Sequence, residues 1–258
     1  MSNEQWRIWN RAKDYGELLY QRATGESDEM ESSKALCEVI LPFYRKGMTV
    51  LDVGCAAGHY LRSLRTRVDE DIVYTGVDAT ENYIDLAKKA FPTSAQFKVG
   101  DIFDLPFANG SYDLVINNNV IHHLPPPPTK AIKELIRVSR EFVVIRTVFG
   151  DRNYIIKEVR TKDDGLEGID SSELDLVTSE SSLRFFNYFN MYTESYFREV
   201  VHHLDPGIRV DIVLDDKWTG FDNRESTVKT GTRVIGEYQA SGNLLLDWRF
   251  IVLTKPKA

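Results

Sequence analysis

The sequence contains little cysteine and no excess of positive charge. Its 258 residues include only two cysteines, Cys37 and Cys55, and these do not form a C-x-x-C motif. We therefore expect both to be reduced thiols in a cytoplasmic protein. The formal net charge is −7 at pH 7, whereas nucleic acids and anionic membranes favour a basic surface. This composition predicts neither of them as a partner.

Long apolar segments and metal-binding spacings are missing as well. No apolar run is long enough to span a bilayer, and the N-terminus lacks the charged and then apolar order of a signal peptide. The adjacent histidines His122 and His123 are not accompanied by an H-x-x-x-H spacing or a cluster of carboxylates. We therefore predict no metal site.

A turn rich in small residues is the strongest positive signal. The apolar run at residues 48–53 is typical of a buried parallel strand, and an amphipathic helix begins near Tyr60. A strand, a glycine turn and a helix N-terminus bind nucleotides, because unpaired N–H groups and a missing Cβ let a ligand approach the backbone. Asp78 ends a second apolar run, residues 72–77, where a carboxylate can bind both hydroxyls of a ribose.

The spacing of the glycines favours one cofactor over another. A dinucleotide fingerprint would read G-x-G-x-x-G, but the turn here reads Asp52-x-Gly54-x-x-x-Gly58, with Ala56 where a middle glycine often occurs. This turn resembles motif I of the class I S-adenosylmethionine (SAM)-dependent methyltransferases, which surrounds the methionine part of SAM. Alanine costs little at this position if its φ is negative, so we expect only a small adjustment of the turn.

Three further motifs extend the resemblance over residues 48–147. Gly76-Val77-Asp78 is similar to the ribose-binding acid of the family, and Thr80 is the expected N-cap of a helix over residues 81–90. Asp101 resembles the acid that accepts from the adenine amino group. The segment at residues 105–125 resembles the strand-four region of small-molecule methyltransferases, including those of quinone biosynthesis. The resemblance implies SAM as cofactor, S-adenosylhomocysteine as product, and these cofactor-binding residues: Asp52, Gly54, Cys55, Ala56, Gly58, Asp78, Ala79, Asp101, Ile102, Asn117, Asn118 and His122.

The end of the fourth strand carries the candidate base. Adjacent residues of a helical turn diverge by about 100°, so at most one of His122 and His123 can face the substrate. We assign His123 as the general base and His122 to the cofactor side or to a structural role. Asn117 is expected to offer its backbone carbonyl to the amino group of SAM. The Asn/Asp-Pro-Pro-Tyr/Phe sequence of the enzymes that methylate nucleic-acid adenine or protein glutamine is absent.

The predicted architecture is an α/β fold with a doubly wound, seven-stranded, mostly parallel sheet. We divide the chain into an N-terminal helical cap, residues 1–47, and a methyltransferase domain, residues 48–258. A lid insertion is expected at about residues 148–192. The segment at residues 215–243 is expected to add a strand around residues 232–238 and to border either the substrate or a subunit contact in a homodimer. The candidate substrate residues, for which core packing is the alternative, are Tyr15, Tyr20, Asn119, Phe186, Tyr188 and Tyr192.

The function predicted from these motifs is methyl transfer from SAM to a small molecule. Our first choice of acceptor is a hydroxyl of a sugar or natural-product unit, since histidine suits the removal of a proton from a weak acid. The alternatives are N- or C-methylation of a small metabolite, or a non-catalytic SAM-binding partner protein. A nicotinamide-dependent oxidoreductase would need a glycine fingerprint that the sequence does not contain.

Overall fold

A computed structural model describes residues 6–159, 186–215, 232–235, 238–241 and 244–256. The described residues form six helices and eleven strands around one large sheet. The helices are α1 (Lys13–Thr24), α2 (Glu31–Ile40), α3 (His59–Arg67), α4 (Glu81–Ala90), α5 (Thr129–Val138) and α6 (Glu194–Leu204). The strands are β1 (Thr49–Val53), β2 (Val73–Asp78), β3 (Gln96–Val99), β4 (Tyr112–Asn118), β5 (Ser139–Phe149), β6 (Lys157–Val159), β7 (Phe186–Tyr188), β8 (Arg209–Leu214), β9 (Thr232–Ile235), β10 (Tyr238–Ser241) and β11 (Leu244–Thr254).

The predicted seven-stranded sheet is confirmed, and two short strands extend it. Strands β3, β2, β1, β4 and β5 are neighbours in that order and pair in parallel. Strand β11 is antiparallel to β5 and β8. Because β11 is long, its second half pairs with β8 while its first residues, Leu244 to Leu246, pair with β10. The expected strand around residues 232–238 is observed as the antiparallel pair β9 and β10.

Apolar side chains cover both faces of the sheet. One buried cluster joins β5 to α5 and α6, and includes Ile145, Leu135 and Phe197. The other joins the opposite face to α2, α3 and α4, and includes Leu36 and Leu61. A parallel sheet buried on both faces requires nearly continuous apolar strands, which explains the sequence of β5. Because strands β1 to β5 run parallel, their carboxyl ends lie at one edge of the sheet, where ligands bind in such sheets.

The N-terminal region is helical, as predicted. A short 3₁₀ turn, Ile8–Arg11, precedes α1, and α1 packs against α3 and α4. Gly25, with φ 88°, ends α1 in the left-handed conformation that glycine adopts without steric cost. Helix α2 follows, beginning at Glu31 and ending at Ile40.

Part of the predicted lid can be described. Strands β6 and β7 pair antiparallel, and Val159 lies opposite Phe186. The acidic part of the insertion and the aromatic residue Phe185 lie outside the described residues. None of the helices in the described ranges has the length and apolarity needed to cross a membrane.

Candidate functional site

The turn between β1 and α3 has an unusual backbone conformation. Gly54, Ala56 and Gly58 all have positive φ, at 81°, 46° and 78°. A Cβ on Gly54 would lie 2.3 Å from Cγ2 of Val120, so only glycine fits there. The expectation of a negative φ at Ala56 is wrong. The Ala56 N–H donates to Asp78 Oδ2 over 2.9 Å, and this bond holds a conformation that disfavours residues with a Cβ.

Asp78 connects this turn to α4. Its Oδ2 accepts from Ala56 N–H, and its Oδ1 accepts from Thr80 N–H at 2.8 Å. Burial raises the pKa of Asp78, although the backbone N–H groups oppose that shift. Thr80 is the N-cap of α4 as predicted, but its side chain makes no capping hydrogen bond. Because each carboxylate oxygen accepts more than one hydrogen bond, Asp78 keeps acceptor capacity for ribose hydroxyls. The neighbouring Ala79 is exposed.

A second carboxyl group lies deeper under the same turn. Asp52 is 1% exposed, and its Oδ2 accepts from the Tyr74 hydroxyl at 2.6 Å. Burial, opposed by the Tyr74 hydrogen bond and aided by the charge of the nearby Asp78, raises the pKa of Asp52 to about 7. Cys55, which follows in the turn, is a buried free thiol. These groups support the turn from below and do not face solvent.

Asp101, after β3, has a partner that the sequence did not predict. Its Oδ1 accepts from Phe103 N–H at 2.9 Å, and its Oδ2 pairs with Arg7 Nη2 at 2.8 Å. The N-terminal segment thereby reaches the position expected to hold adenine. Ile102 is 8% exposed and packs in the cluster beneath Asp101.

The carboxyl end of β4 presents three asparagines with different surroundings. Asn117 donates from Nδ2 to the Val53 carbonyl at 2.7 Å, and its Oδ1 is buried without a hydrogen-bond partner among the described residues. Both polar atoms of the Asn118 side chain are likewise buried and unpartnered there. Asn119 has φ 60° and donates to the Tyr60 hydroxyl at 3.4 Å. Because unpaired buried polar groups are costly, Asn117 and Asn118 fit a site completed by a polar ligand.

The two histidines lie in a 3₁₀ turn, Ile121–His123, and pack against each other. Their ring centroids are 4.0 Å apart, so the expectation that they point apart is wrong. A 3₁₀ turn separates the directions of successive side chains by about 120°, but both imidazole rings contact Phe189. His122 is 1% exposed, and its Nδ1 is 3.3 Å from Thr147 Oγ1. Burial lowers the pKa of His122 well below its usual range.

The tautomer of His123 is determined by its neighbour. His123 Nδ1 lies 2.8 Å from the backbone carbonyl oxygen of Tyr188. A carbonyl can only accept, so Nδ1 carries the proton, and the lone pair of the neutral ring is on Nε2. The Trp9 ring contacts the His123 ring edge-on, with 5.0 Å between the ring centroids. Together with Phe189, it gives the imidazole an aromatic environment.

A buried ion pair beside the asparagines was missed by sequence reasoning. Arg146, on β5, is 2% exposed, and its Nε donates to Asp215 Oδ2 at 2.6 Å. Its guanidinium also donates to Asn119 Oδ1 and lies 4.0 Å from the Trp248 ring centroid. The signal was an arginine within the apolar run of residues 142–149, where a buried charge needs a partner.

The candidate substrate residues separate into two groups. The backbone carbonyl of Tyr188 contacts His123, and the Asn119 side chain bonds to Arg146. The ring centroids of Tyr15 and Trp9 are 5.7 Å apart. The other three lie in different surroundings. The Tyr20 ring lies under the ammonium group of Lys89, and the Phe186 ring contacts Lys157 and Tyr188 in the β6–β7 pair. Tyr192 packs between Tyr196 and Phe197 in the core. Tyr192 occupies the packing position that was the alternative for these residues.

Comparisons with known proteins agree with this geometry. A family described as a methyltransferase domain matches residues 44–183. The chain is 36% identical over 98 residues to the tRNA (carboxymethyluridine(34)-5-O)-methyltransferase alkbh8 of Xenopus tropicalis, covering 37% of this chain and 14% of that protein. It is 33% identical over 98 residues to the demethylmenaquinone methyltransferase of Staphylococcus aureus, covering 37% of this chain and 40% of that protein. The matches thus span less than half the length of these relatives.

A solved structure shows the same fold. A SAM-dependent methyltransferase of Methanosarcina mazei superposes with a TM-score of 0.57 at 15% identity, covering 85% of this chain and 98% of the other. At that identity the likeness concerns the fold alone.

Proposed function

This chain belongs to the class I SAM-dependent methyltransferases, and we propose that it transfers the methyl group of SAM to a hydroxyl of a small molecule. The relatives act, by their names, on a tRNA uridine and on demethylmenaquinone. The acceptor therefore has to be argued from the site of this chain. The net charge of −7 supports a small molecule over a nucleic acid.

The residues at the sheet edge fit SAM. In this proposal Asp78 accepts from the ribose hydroxyls, and Asp101 with Ile102 holds the adenine. In the same proposal the unpartnered Oδ1 of Asn117 and the unpartnered side-chain amide of Asn118 face the methionine part. SAM, when bound, supplies a methyl group already activated by its sulfonium. The protein then has to orient the acceptor oxygen and exclude water.

The observation that carries the proposal is the hydrogen bond from His123 Nδ1 to the Tyr188 carbonyl. It places the lone pair on Nε2, which in our proposal takes the proton of the acceptor hydroxyl as the oxygen attacks. The Trp9 and Phe189 rings around His123 limit the water that would compete for this proton. A base is needed for a weakly acidic hydroxyl, and this need favours O-methylation over transfer to an amine or a carbon.

The wider organisation supports the same proposal. We assign residues 1–47 as a cap over the site, since Trp9 and Arg7 both reach residues of the sheet edge. We assign residues 148–192 as a lid, since Tyr188 within them contacts His123. The two cysteines are buried and unpaired, which is consistent with the cytoplasmic location that we propose.

The test is label transfer from methyl-labelled SAM to a panel of phenols, sugars, quinols and amines. We expect label on a hydroxyl acceptor. His123→Gln should lower kcat by about 10²–10⁴-fold and remove the acidic limb of the pH–rate profile, while affinity for S-adenosylhomocysteine stays unchanged. His203→Gln, at the exposed end of α6, is the matched control.

Other outcomes would redirect the assignment. Label on an amine or a carbon, with His123→Gln as active as the wild type, would replace O-methylation by N- or C-methylation. Tight binding of S-adenosylhomocysteine without turnover on any acceptor would instead favour a non-catalytic SAM-binding protein.

A further inference from the structure

The turn that carries His123 contains backbone carbonyls whose usual donors are missing from the sequence. The 3₁₀ turn Ile121–His123 is followed, after Leu124, by the four prolines at residues 125–128. In a helical turn a carbonyl accepts from the N–H three or four residues further on. For His122 and Leu124 all of those residues are prolines, which have no N–H. Both residues are buried, so their carbonyls need donors from another segment.

One buried residue of the lid, Asn190, supplies both donors. Its backbone N–H donates to the His122 carbonyl at 2.8 Å, and its Nδ2 donates to the Leu124 carbonyl at 2.9 Å. Its Oδ1 accepts from the N–H of Ile156, before β6, at 3.3 Å. Asn190 is 0% exposed, so bulk water does not compete for these hydrogen bonds. Its side chain therefore joins the turn after β4 to the segments of the lid before β6 and after β7.

These hydrogen bonds lie beside the contact between His123 and the lid. The Tyr188 carbonyl, two residues before Asn190, lies 2.8 Å from Nδ1 of His123. Phe189, between them, packs against the imidazole with 5.7 Å between ring centroids. A shift of the turn along residues 188–190 would therefore move the imidazole away from the Tyr188 carbonyl. The partner of one ring nitrogen determines the tautomer of a histidine, so such a shift would also release the lone pair from Nε2.

We propose that Asn190 is a positioning residue for His123. Its hydrogen bonds fix the turn after β4 against the lid, so that Nδ1 of His123 stays bonded to the Tyr188 carbonyl and Nε2 keeps the lone pair. Asn190 is buried and acts through His123, without taking part in the proton transfer itself. This role rests on the proposed function, in which Nε2 of His123 takes the proton of the acceptor hydroxyl.

The first test measures the tautomer of His123 by long-range proton–nitrogen NMR correlation spectra, with its signals assigned from their loss in His123→Gln. We expect a single Nδ1–H tautomer in the wild-type protein. Asn190→Ala removes the hydrogen bonds to Leu124 and Ile156 and keeps the backbone bond to the His122 carbonyl. It should give a mixture of the two tautomers. This measurement requires neither an acceptor nor turnover.

The second test is kinetic. Asn190→Ala should lower the kcat of methyl transfer about 10- to 100-fold, since a small displacement of a reacting group costs that much. Its affinity for S-adenosylhomocysteine should be unchanged, because the lost hydrogen bonds go to Leu124 and Ile156. Thermal unfolding establishes that the variant is folded. If it is not, Asn190→Ser replaces it, because the shorter serine side chain does not reach the Leu124 carbonyl.

Thr193→Ala is the matched control, three residues after Asn190. It also deletes a hydrogen bond between a side chain and the backbone, in which Thr193 Oγ1 accepts from Tyr196 N–H at 3.2 Å and caps α6. The loss of this cap should lower the melting temperature. His123 should nevertheless keep a single tautomer, and kcat should stay unchanged.

The outcomes distinguish the positioning role from the proposed function. A single tautomer in folded Asn190→Ala, an unchanged kcat or a matching loss of affinity for S-adenosylhomocysteine would overturn the positioning role. The same loss of kcat in Thr193→Ala would overturn it as well, since the loss would then follow from stability alone. Failure of the wild-type protein to methylate any acceptor, with the tautomers as expected, would instead refute the proposed function and leave the link between Asn190 and the imidazole intact.

Discussion

The two halves of the carboxyl edge of the sheet are held together by different kinds of interaction. At the ends of β1, β2 and β3, backbone N–H groups of Ala56, Thr80 and Phe103 donate to Asp78 and Asp101. At the ends of β4, β5 and β8 the contacts are between side chains, with Arg146 joining Asn119, Asp215 and Trp248. We call these the cofactor half and the acceptor half.

This difference affects how each half tolerates change. In the cofactor half the donors to Asp78 and to Oδ1 of Asp101 are backbone N–H groups, so these hydrogen bonds do not depend on the identity of the donors' side chains. The acceptor half depends on a buried ion pair, for which the cost of desolvation offsets much of the attraction. Loss of one partner leaves the other charged and buried. The acceptor half should therefore be the more sensitive to single substitutions, and also the one in which a compensating pair can change specificity.

The largest effect is expected for Arg146→Met. Removal of the guanidinium leaves Asp215, 5% exposed, buried without its ion pair, which should cost about 3–5 kcal/mol of unfolding free energy in urea titrations. Arg45→Gln is the surface control. The side chains of Arg45 and Glu141 are 57% and 32% exposed, so the loss of this ion pair should leave the unfolding free energy nearly unchanged.

The double variant Arg146→Met with Asp215→Leu sharpens the comparison. It should recover most of the lost stability, since an apolar pair often replaces a buried ion pair without loss. Its affinity for S-adenosylhomocysteine should equal that of the wild type. A large loss of that affinity in the stable double variant would show that the two halves are one coupled unit.

Gly54→Ala tests the backbone of the cofactor half. The new Cβ would meet Val120 at 2.3 Å and would also have to adopt φ 81°, for a combined cost of about 2–4 kcal/mol. Gly47→Ala separates the two causes, because Gly47 has φ 87° but nothing within 4 Å of its Cβ position. Its cost should be about 1–2 kcal/mol. Equal melting temperatures for the two variants would rule out the contact with Val120 as a constraint.

Asp78→Ala tests the ribose assignment. Loss of the carboxylate should weaken S-adenosylhomocysteine binding by about 1.5–3 kcal/mol in calorimetric titration. The same change also releases Ala56 N–H and Thr80 N–H, so thermal unfolding must be measured alongside. Asp78→Asn keeps one oxygen acceptor and should lie between the wild type and Asp78→Ala. Unchanged affinity in a folded Asp78→Ala variant would refute the ribose role.

The sequence was a good guide to the cofactor half because its parts are local. A glycine turn, the helix after it and an acid at the end of the next strand follow from short segments and from the parallel order of the strands. Even so, the sign of φ at Ala56 could not be predicted, because it depends on a hydrogen bond to Asp78 across the sheet.

The acceptor half was harder to predict from the sequence, because its contacts join distant segments. Arg146 and Asp215 are 69 residues apart, and no spacing rule connects them. His123 was found from its place after β4, but its partner Tyr188 was predicted only as a substrate residue. The contact actually comes from the Tyr188 backbone carbonyl, a group whose position depends on the fold alone.

The smallest expected effect concerns the pH dependence of stability from Asp52. Its pKa of about 7 in the folded protein lies above the value near 4 expected in the unfolded chain. Between these values the folded protein holds a proton that the unfolded chain has released, so the stability contributed by this group falls as pH rises. Asp52→Asn cannot titrate and can still bond to Tyr74. Relative to wild type, its unfolding free energy should therefore rise by about 1 kcal/mol from pH 6 to pH 7.

Asp113→Asn provides the control of opposite sign. Partial burial raises the pKa of Asp113, but hydrogen bonds from Thr49 and the charge of Arg140 outweigh it and leave the pKa lowered. The stability from Asp113 is therefore complete above pH 5 and is lost only in acid. The difference in unfolding free energy between Asp113→Asn and wild type should therefore stay constant from pH 6 to pH 7. A flat difference for Asp52→Asn as well would mean that the carboxyl group beneath the cofactor turn is ionised throughout, and that the turn is held over a buried charge.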